Sequence, residues 1–157
     1  MTADATIHAT AVLIGPKAVL IRGPSGSGKS HLAFDLIQAA QNSPGGAMPF
    51  ARLVGDDRVH VETAGGRLLI RPAAELAGLL EVRGLGIRRL PHEPVAVVGL
   101  VVDLSADDAA RLPASEAAEI TISGVILPRL AVAAGQNARD LVLAWLGTAQ
   151  GLSGAAN

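Results

Sequence analysis

The stretch Gly23-Pro24-Ser25-Gly26-Ser27-Gly28-Lys29-Ser30 fits G-x-x-x-x-G-K-[ST], the phosphate-binding loop. Without a Cβ, glycine takes positive φ freely, so backbone N–H groups can turn inward and face an anion. The helix expected after the loop aims the positive end of its dipole at the same anion. Lys29 then carries an ammonium to the outer phosphates of a nucleotide, and Ser30 offers a hydroxyl to Mg²⁺. The flanks agree with this reading. Ala18-Val19-Leu20-Ile21 reads as a buried strand entering the loop. From Ser30 to Ala40 apolar residues recur at helical spacing, with Leu32, Ala33, Leu36, Ile37 and Ala40 on one face.

Composition narrows the partners. Only 2% of the 157 residues are aromatic and none is Tyr, so base stacking is a poor mode of recognition for this chain. The net charge is −1, which argues against tracking a nucleic-acid backbone. The absence of cysteine removes disulfides and thiolate metal sites and fits a reducing cytoplasm. No apolar run reaches the roughly 18 residues of a membrane span, and Met1 to Ala5 lacks the features of a signal peptide. One domain over residues 1–150 is expected, with 151–157 a flexible tail.

Along the chain, Ile7 to Ile14 and Ala18 to Ile21 read as two strands joined by Gly15-Pro16-Lys17, with His8 in the first. A surface loop is expected over 41–49. Arg58 to Glu62 and Arg67 to Ile70 flank Ala64-Gly65-Gly66 as a second hairpin. Ala73 to Ala77 suggests a short helix, and the glycines of Leu79 to Ile87 suggest a shaped loop. Val95 to Leu104 is the longest apolar run and is expected to be a central strand. Asp107 to Leu112 could be a short helix, Glu119 to Leu127 a half-exposed strand, and Asn137 to Leu146 a helix packing through Leu141, Leu143 (or Val142), Trp145 and Leu146.

What becomes of a bound phosphate depends on other groups. An acid at the end of an apolar strand usually completes the metal site, and both Asp103 and the Asp56-Asp57 pair qualify. Adjacent carboxylates near phosphates cannot both ionise freely, which suits proton transfer. In an extended segment, however, neighbouring side chains point to opposite faces, so at most one of the two faces the reaction. Glu81 and Arg83 share a face if extended, as a carboxylate beside a cation or as a plain surface pair.

Several segments together resemble the C-terminal catalytic domain of the bacterial HPr kinase/phosphorylase family. The P-loop resembles its G-x-S-G-x-G-K-S. Leu53-Val54-Gly55-Asp56-Asp57-Arg58-Val59 is similar to L-V-A-D-D-x-V. Leu79 to Ile87 is close to the signature L-L-E-I-R-G-L-G-I, the most specific match. His8 falls where the family has a histidine, and Pro128 with Gly135-Gln136-Asn137 resembles a late P-x-x-x-G-R-N region. His31 and Gln136 depart from the family's common Glu and Arg. The resemblance is to the short form associated with alphaproteobacteria.

The resemblance implies a mixed sheet with a P-loop helix, in a phosphoenolpyruvate carboxykinase-like nucleotide-binding fold. It implies a cytoplasmic, ATP- and Mg²⁺-dependent kinase for a serine of an HPr-like phosphocarrier of a phosphotransferase system, with phosphorolysis as a second activity. Long members form hexamers, so a homo-oligomer is expected. Carried over, Asp56 becomes the base for the serine hydroxyl with Asp57 as its partner near the metal. Ser30 and Glu81 hold Mg²⁺, Lys29 holds phosphates, Arg83 is an active-site cation, and His8 lies close to the aspartates. Asp103 then reads as structural. Two other classes compete: a nucleotide-binding regulatory module without phosphoryl transfer, and a small-molecule kinase using Arg52 or Arg88-Arg89 as a lid.

Overall fold

The computed structural model describes residues 5–43 and 50–148. The expected tail and positions 44–49 of the expected loop lie outside the described residues. In chain order the strands and helices are β1 (Ala5–Ile7), β2 (Thr10–Ile14), β3 (Lys17–Arg22), α1 (Lys29–Gln41), β4 (Ala51–Gly55), β5 (Val59–Ala64), β6 (Arg67–Pro72), β7 (Leu79–Val82), β8 (Gly86–Arg89), β9 (Ala96–Leu104), β10 (Glu119–Ile122), β11 (Val125–Val132) and α2 (Ala138–Gly147). Nine of the strands form one mixed sheet, and β7 with β8 forms a separate hairpin. No helix among the described residues is long and apolar enough to cross a membrane.

β9 is the centre, as its apolar run predicts. β3 runs parallel along one edge, from Ala18 opposite Val98 to Arg22 opposite Asp103. The other edge is shared: β6 pairs antiparallel with its start, and β11 runs parallel with its end. The strand feeding the P-loop therefore lies beside the sheet's central strand, with hairpins added outside it. This mixed sheet with a P-loop helix is the architecture the sequence led us to expect.

Both faces of the sheet are covered, so its central strands are apolar at nearly every position. Val19, Ile21, Leu100 and Val102 pack with Leu32, Leu36 and Ile37 of α1, while Ala18, Leu20, Val98 and Val101 join Val59, Val61 and Ile70 on the other side. In β9 the alternation changes phase between Val98 and Leu100, because the pairing with β3 skips Gly99 as a bulge. A Cβ at Gly99 would meet the Lys17 side chain at 2.8 Å.

Several expectations change. Ile7 to Ile14 is not one strand: β1 pairs with β5, whereas β2 pairs with β3 and β4, and the chain bends at His8-Ala9. Leu79 to Ile87 is a real hairpin, its turn carried by Gly84 with φ of 90°. Asp107 to Leu112 is not helical. A six-residue segment nucleates poorly, and Arg129 holds Asp108 by two hydrogen bonds of 2.7 and 3.0 Å. Ala73 to Ala77 yields only a 3-10 turn, Ala74–Leu76. Glu119 to Leu127 folds into the β10–β11 hairpin because Ser123 and Gly124 both take positive φ. α2 forms where expected but buries Val142, leaving Trp145 and Leu146 substantially exposed.

Candidate active site

The P-loop is built to leave donors unsatisfied. α1 begins without a side-chain cap: Gly28 occupies the cap position in the left-handed region, and the first turn carries no acidic residue. Its leading N–H groups have no intrahelical partner and are available to an anion. α2 shows the ordinary alternative, with Asn137 capping the Asp140 N–H at 3.1 Å. Lys29 is only 8% exposed, and its ammonium donates to the carbonyls of Gly23 at 2.8 Å and Pro24 at 3.1 Å. The Ser27 hydroxyl is buried without a protein partner.

Asp56 follows directly on β4. Gly55 lets it sit there, because a Cβ at Gly55 would lie 2.7 Å from the Val59 side chain and 3.1 Å from the Pro72 backbone. The Asp56 carboxylate is buried, at 6% residue exposure. Its Oδ1 accepts from both Ser30 Oγ and Thr10 Oγ1 at 2.7 Å, and its Oδ2 accepts from the Glu81 N–H at 3.3 Å. The structure thus joins the P-loop serine, the strand-end aspartate and the start of the β7–β8 hairpin.

Asp57 turns the other way. Its φ of 69° is left-handed, a conformation Asp tolerates better than most residues but still at some cost. The Arg58 N–H closes the turn onto the Asp56 carbonyl at 2.8 Å. The Asp57 carboxylate lies 2.9 Å from His8 Nε2, with side chains 61% and 55% exposed respectively. His8 reaches it from the bend between β1 and β2, and the Ala9 N–H pins that bend to the Asp57 carbonyl at 3.2 Å. One aspartate faces the P-loop; its neighbour faces solvent with a histidine.

Arg83 sits in the exposed turn beyond β7, and the Glu81 side of that strand is exposed as well. Among the described residues neither forms an ion pair, so the surface-pair reading does not hold. No three His, Asp or Glu side chains converge among the described residues. Mg²⁺ at a phosphate site needs no such cage, since it binds one or two protein oxygens together with phosphates and waters. The adjacent hydroxyl and carboxylate of Ser30 and Asp56 fit that donor set.

Asp103 has a different task. It accepts from Arg22 Nε and Nη2 at 2.7 and 2.8 Å, and from Arg129 Nε at 2.6 Å. The cluster ties together β3, β9 and β11 at the end where β3 enters the P-loop. Burial pushes the Asp103 carboxyl up, but hydrogen bonds and charge from Arg22 and Arg129 outweigh it and hold it below the usual range. A carboxyl depressed by folding stabilises the protein above its unfolded value of 3.8, and that stability is lost as pH falls through the lower folded value. Asp103→Asn is expected to cost about 2 kcal/mol at neutral pH, less than a deeply buried broken pair. Thermal unfolding against pH should show the gap to the parent closing below the unfolded value.

Thr10 was not foreseen. Its signal was available: a lone polar residue within the apolar run Ala9 to Ile14, fully buried in the structure.

Comparison with known proteins adds the family. A family model described as HPr serine kinase C-terminal domain matches residues 1–92. The chain belongs to this family. Its P-loop, aspartate pair and β7–β8 hairpin all lie within the matched residues, whereas Pro128 and Gly135 to Asn137 lie beyond them. Relatives named HPr kinase/phosphorylase include one from Clostridium beijerinckii, 37% identical over 84 residues, which are 54% of this chain and 24% of the relative. One from Streptococcus thermophilus is 41% identical over 83 residues, 52% of this chain and 24% of the relative. The matches thus span about a quarter of the length of these HPr kinase relatives. A solved structure, the Hpr(Ser) kinase/phosphatase from Coxiella burnetii, superposes with a TM-score of 0.71 over 90% of this chain and 93% of that one, at 22% identity. That likeness establishes the shared fold, with which the expected phosphoenolpyruvate carboxykinase-like arrangement is consistent.

Proposed function

We propose that the chain is an ATP-dependent protein-serine kinase acting on an HPr-like phosphocarrier. One observation carries the reading beyond family membership: a solvent-facing His8–Asp57 pair stands next in sequence to a buried Asp56 bound to the P-loop serine. A nucleotide binder needs the second group; the first is what an enzyme that takes a proton from an incoming hydroxyl would use.

This division changes the roles carried over by resemblance. Both oxygens of Asp56 already accept hydrogen bonds, and its burial bars a serine on another protein. Asp57, oriented by His8, is the better base. It takes the serine proton as the serine oxygen bonds to the γ-phosphorus and the β–γ oxygen leaves with ADP. With inorganic phosphate as acceptor of the same phosphoryl group, the proton returns to serine and pyrophosphate is released. Mg²⁺ would supply charge neutralisation on the phosphates; Ser30, Asp56 and Glu81 would hold it, and Arg83 would offer a cation to the transferring group.

The chain, labelled ATP, Mg²⁺ and the cognate carrier should place label on one carrier serine and not on its alanine variant. Nucleotide and carrier binding without transfer would instead favour the regulatory module. Thr10 offers a finer test of the metal assignment. Thr10→Val keeps shape but removes a hydrogen bond to a charged group worth about 1.5 kcal/mol. The Mg²⁺ concentration for half-maximal transfer should rise about tenfold, and Thr10→Ser should restore it.

A further inference from the structure

Among the described residues one buried side-chain oxygen lacks a hydrogen-bond partner, the Ser27 hydroxyl inside the P-loop. Leaving such a group unpaired costs stability, so its presence points to a second state in which it is used. The phosphoryl-transfer steps above give it no task. Its surroundings identify its acceptor. A Cβ at Gly23 would meet Ser27 Oγ at 2.5 Å, and the Leu104 Cβ and carbonyl at 3.1 Å. The hydroxyl therefore lies against the Gly23 backbone, in a space that Leu104 closes.

The Gly23 carbonyl is already engaged, accepting from the Lys29 ammonium at 2.8 Å. The ammonium also donates to the Pro24 carbonyl at 3.1 Å, but that oxygen accepts in addition from the Ser27 N–H at 3.0 Å. In this arrangement Lys29 faces its own loop. To meet the phosphates of a nucleotide it has to release both carbonyls, and the two do not suffer equally. Pro24 keeps its backbone donor. Gly23 is left with a bare acceptor beside a bare hydroxyl.

We propose that Ser27 is a positioning residue that relieves Lys29: when the ammonium turns to the phosphates, the Ser27 hydroxyl donates to the Gly23 carbonyl in its place. The inference rests on the phosphate-binding reading of the P-loop and adds what frees its lysine. One donor replaces another, so the loop keeps its shape while the positive charge passes to the ligand. Without the hydroxyl, the loop holds its lysine back.

Two measurements on the full chain test this. In calorimetric titration with Mg²⁺ and pyrophosphate, which presents phosphates and no nucleoside, Ser27→Ala should bind about tenfold more weakly than the parent. Thermal unfolding without ligand should run the other way. Ser27→Ala should melt no lower than the parent, since it deletes a hydroxyl that is unpaired in that state. In a Lys29→Met background the Gly23 carbonyl has already lost its lysine, so the hydroxyl is bonded without ligand. There Ser27→Ala should lower the melting temperature. An effect of Ser27→Ala that is the same in both backgrounds overturns the exchange, whether the hydroxyl is inert or touches the phosphates directly. Undiminished pyrophosphate binding by Ser27→Ala overturns it as well. A parent that binds no pyrophosphate overturns the P-loop reading instead, and the melting cycle, which uses no ligand, still decides whether Ser27 and Lys29 share the carbonyl.

Discussion

Asp57→Asn is expected to slow phosphoryl transfer about 10²–10⁴-fold, the range for removing a general base, with nucleotide affinity unchanged. The reason is spatial. Asp57 points away from the P-loop and meets His8 at 2.9 Å, so the amide disturbs no contact to Ser30 or Lys29. Asparagine also tolerates the left-handed backbone at this position, which keeps the turn intact. Asp56→Asn should differ in kind. It replaces an acceptor of three donors by a group with one acceptor end, so it should weaken both Mg²⁺-dependent binding and thermal stability. Single-turnover transfer measured beside equilibrium binding distinguishes the two. Transfer by Asp57→Asn at the parent rate would return the base to Asp56.

Lys29→Ala should remove about 10²–10³-fold in transfer rate, and nucleotide affinity should fall with it. The ammonium is buried and held by two P-loop carbonyls, so it reaches the phosphates from a prepared position at little ordering cost. Arginine should not rescue, because its planar fork cannot replace a point charge inside the loop. Binding titrations with ATP and with pyrophosphate should show the same deficit, since the lysine addresses phosphates alone.

The centre of the fold was legible because both faces of the central strands are buried and so write themselves as unbroken apolar runs. Val95 to Leu104 and Ala18 to Ile21 are neighbours in the sheet for that reason. The P-loop was legible because its glycines serve one geometry. What escaped was tertiary. Nothing in Ile7 to Ile14 marks the bend at His8, since β1 and β2 have the same local preference and part only because they find different partners. The hairpin at Leu79 to Ile87 was hidden by glycines that belong to its turn and to the first residue of β8. Asp56 and Asp57 are chemically identical in sequence, and only the positive φ of the second separates their surroundings. Val142, rather than its neighbours, meets the core because the Asn137 cap sets the phase of α2.

The bend at His8 has a thermodynamic corollary. His8 is held by the three residue pairs between β1 and β5 that precede it and by the Ala9 N–H bond to the Asp57 carbonyl that follows it, and β1 is an end strand of the sheet. Edge strands open locally at far lower free energy than whole sheets unfold. Peeling Ala5–Ile7 away from β5 would loosen the histidine, leaving the Ala9 N–H bond to Asp57 as its backbone anchor, without touching the P-loop, Asp56 or the core. Local opening of this edge is therefore expected to disturb the His8–Asp57 pair at a lower temperature than the one at which the P-loop and the core unfold.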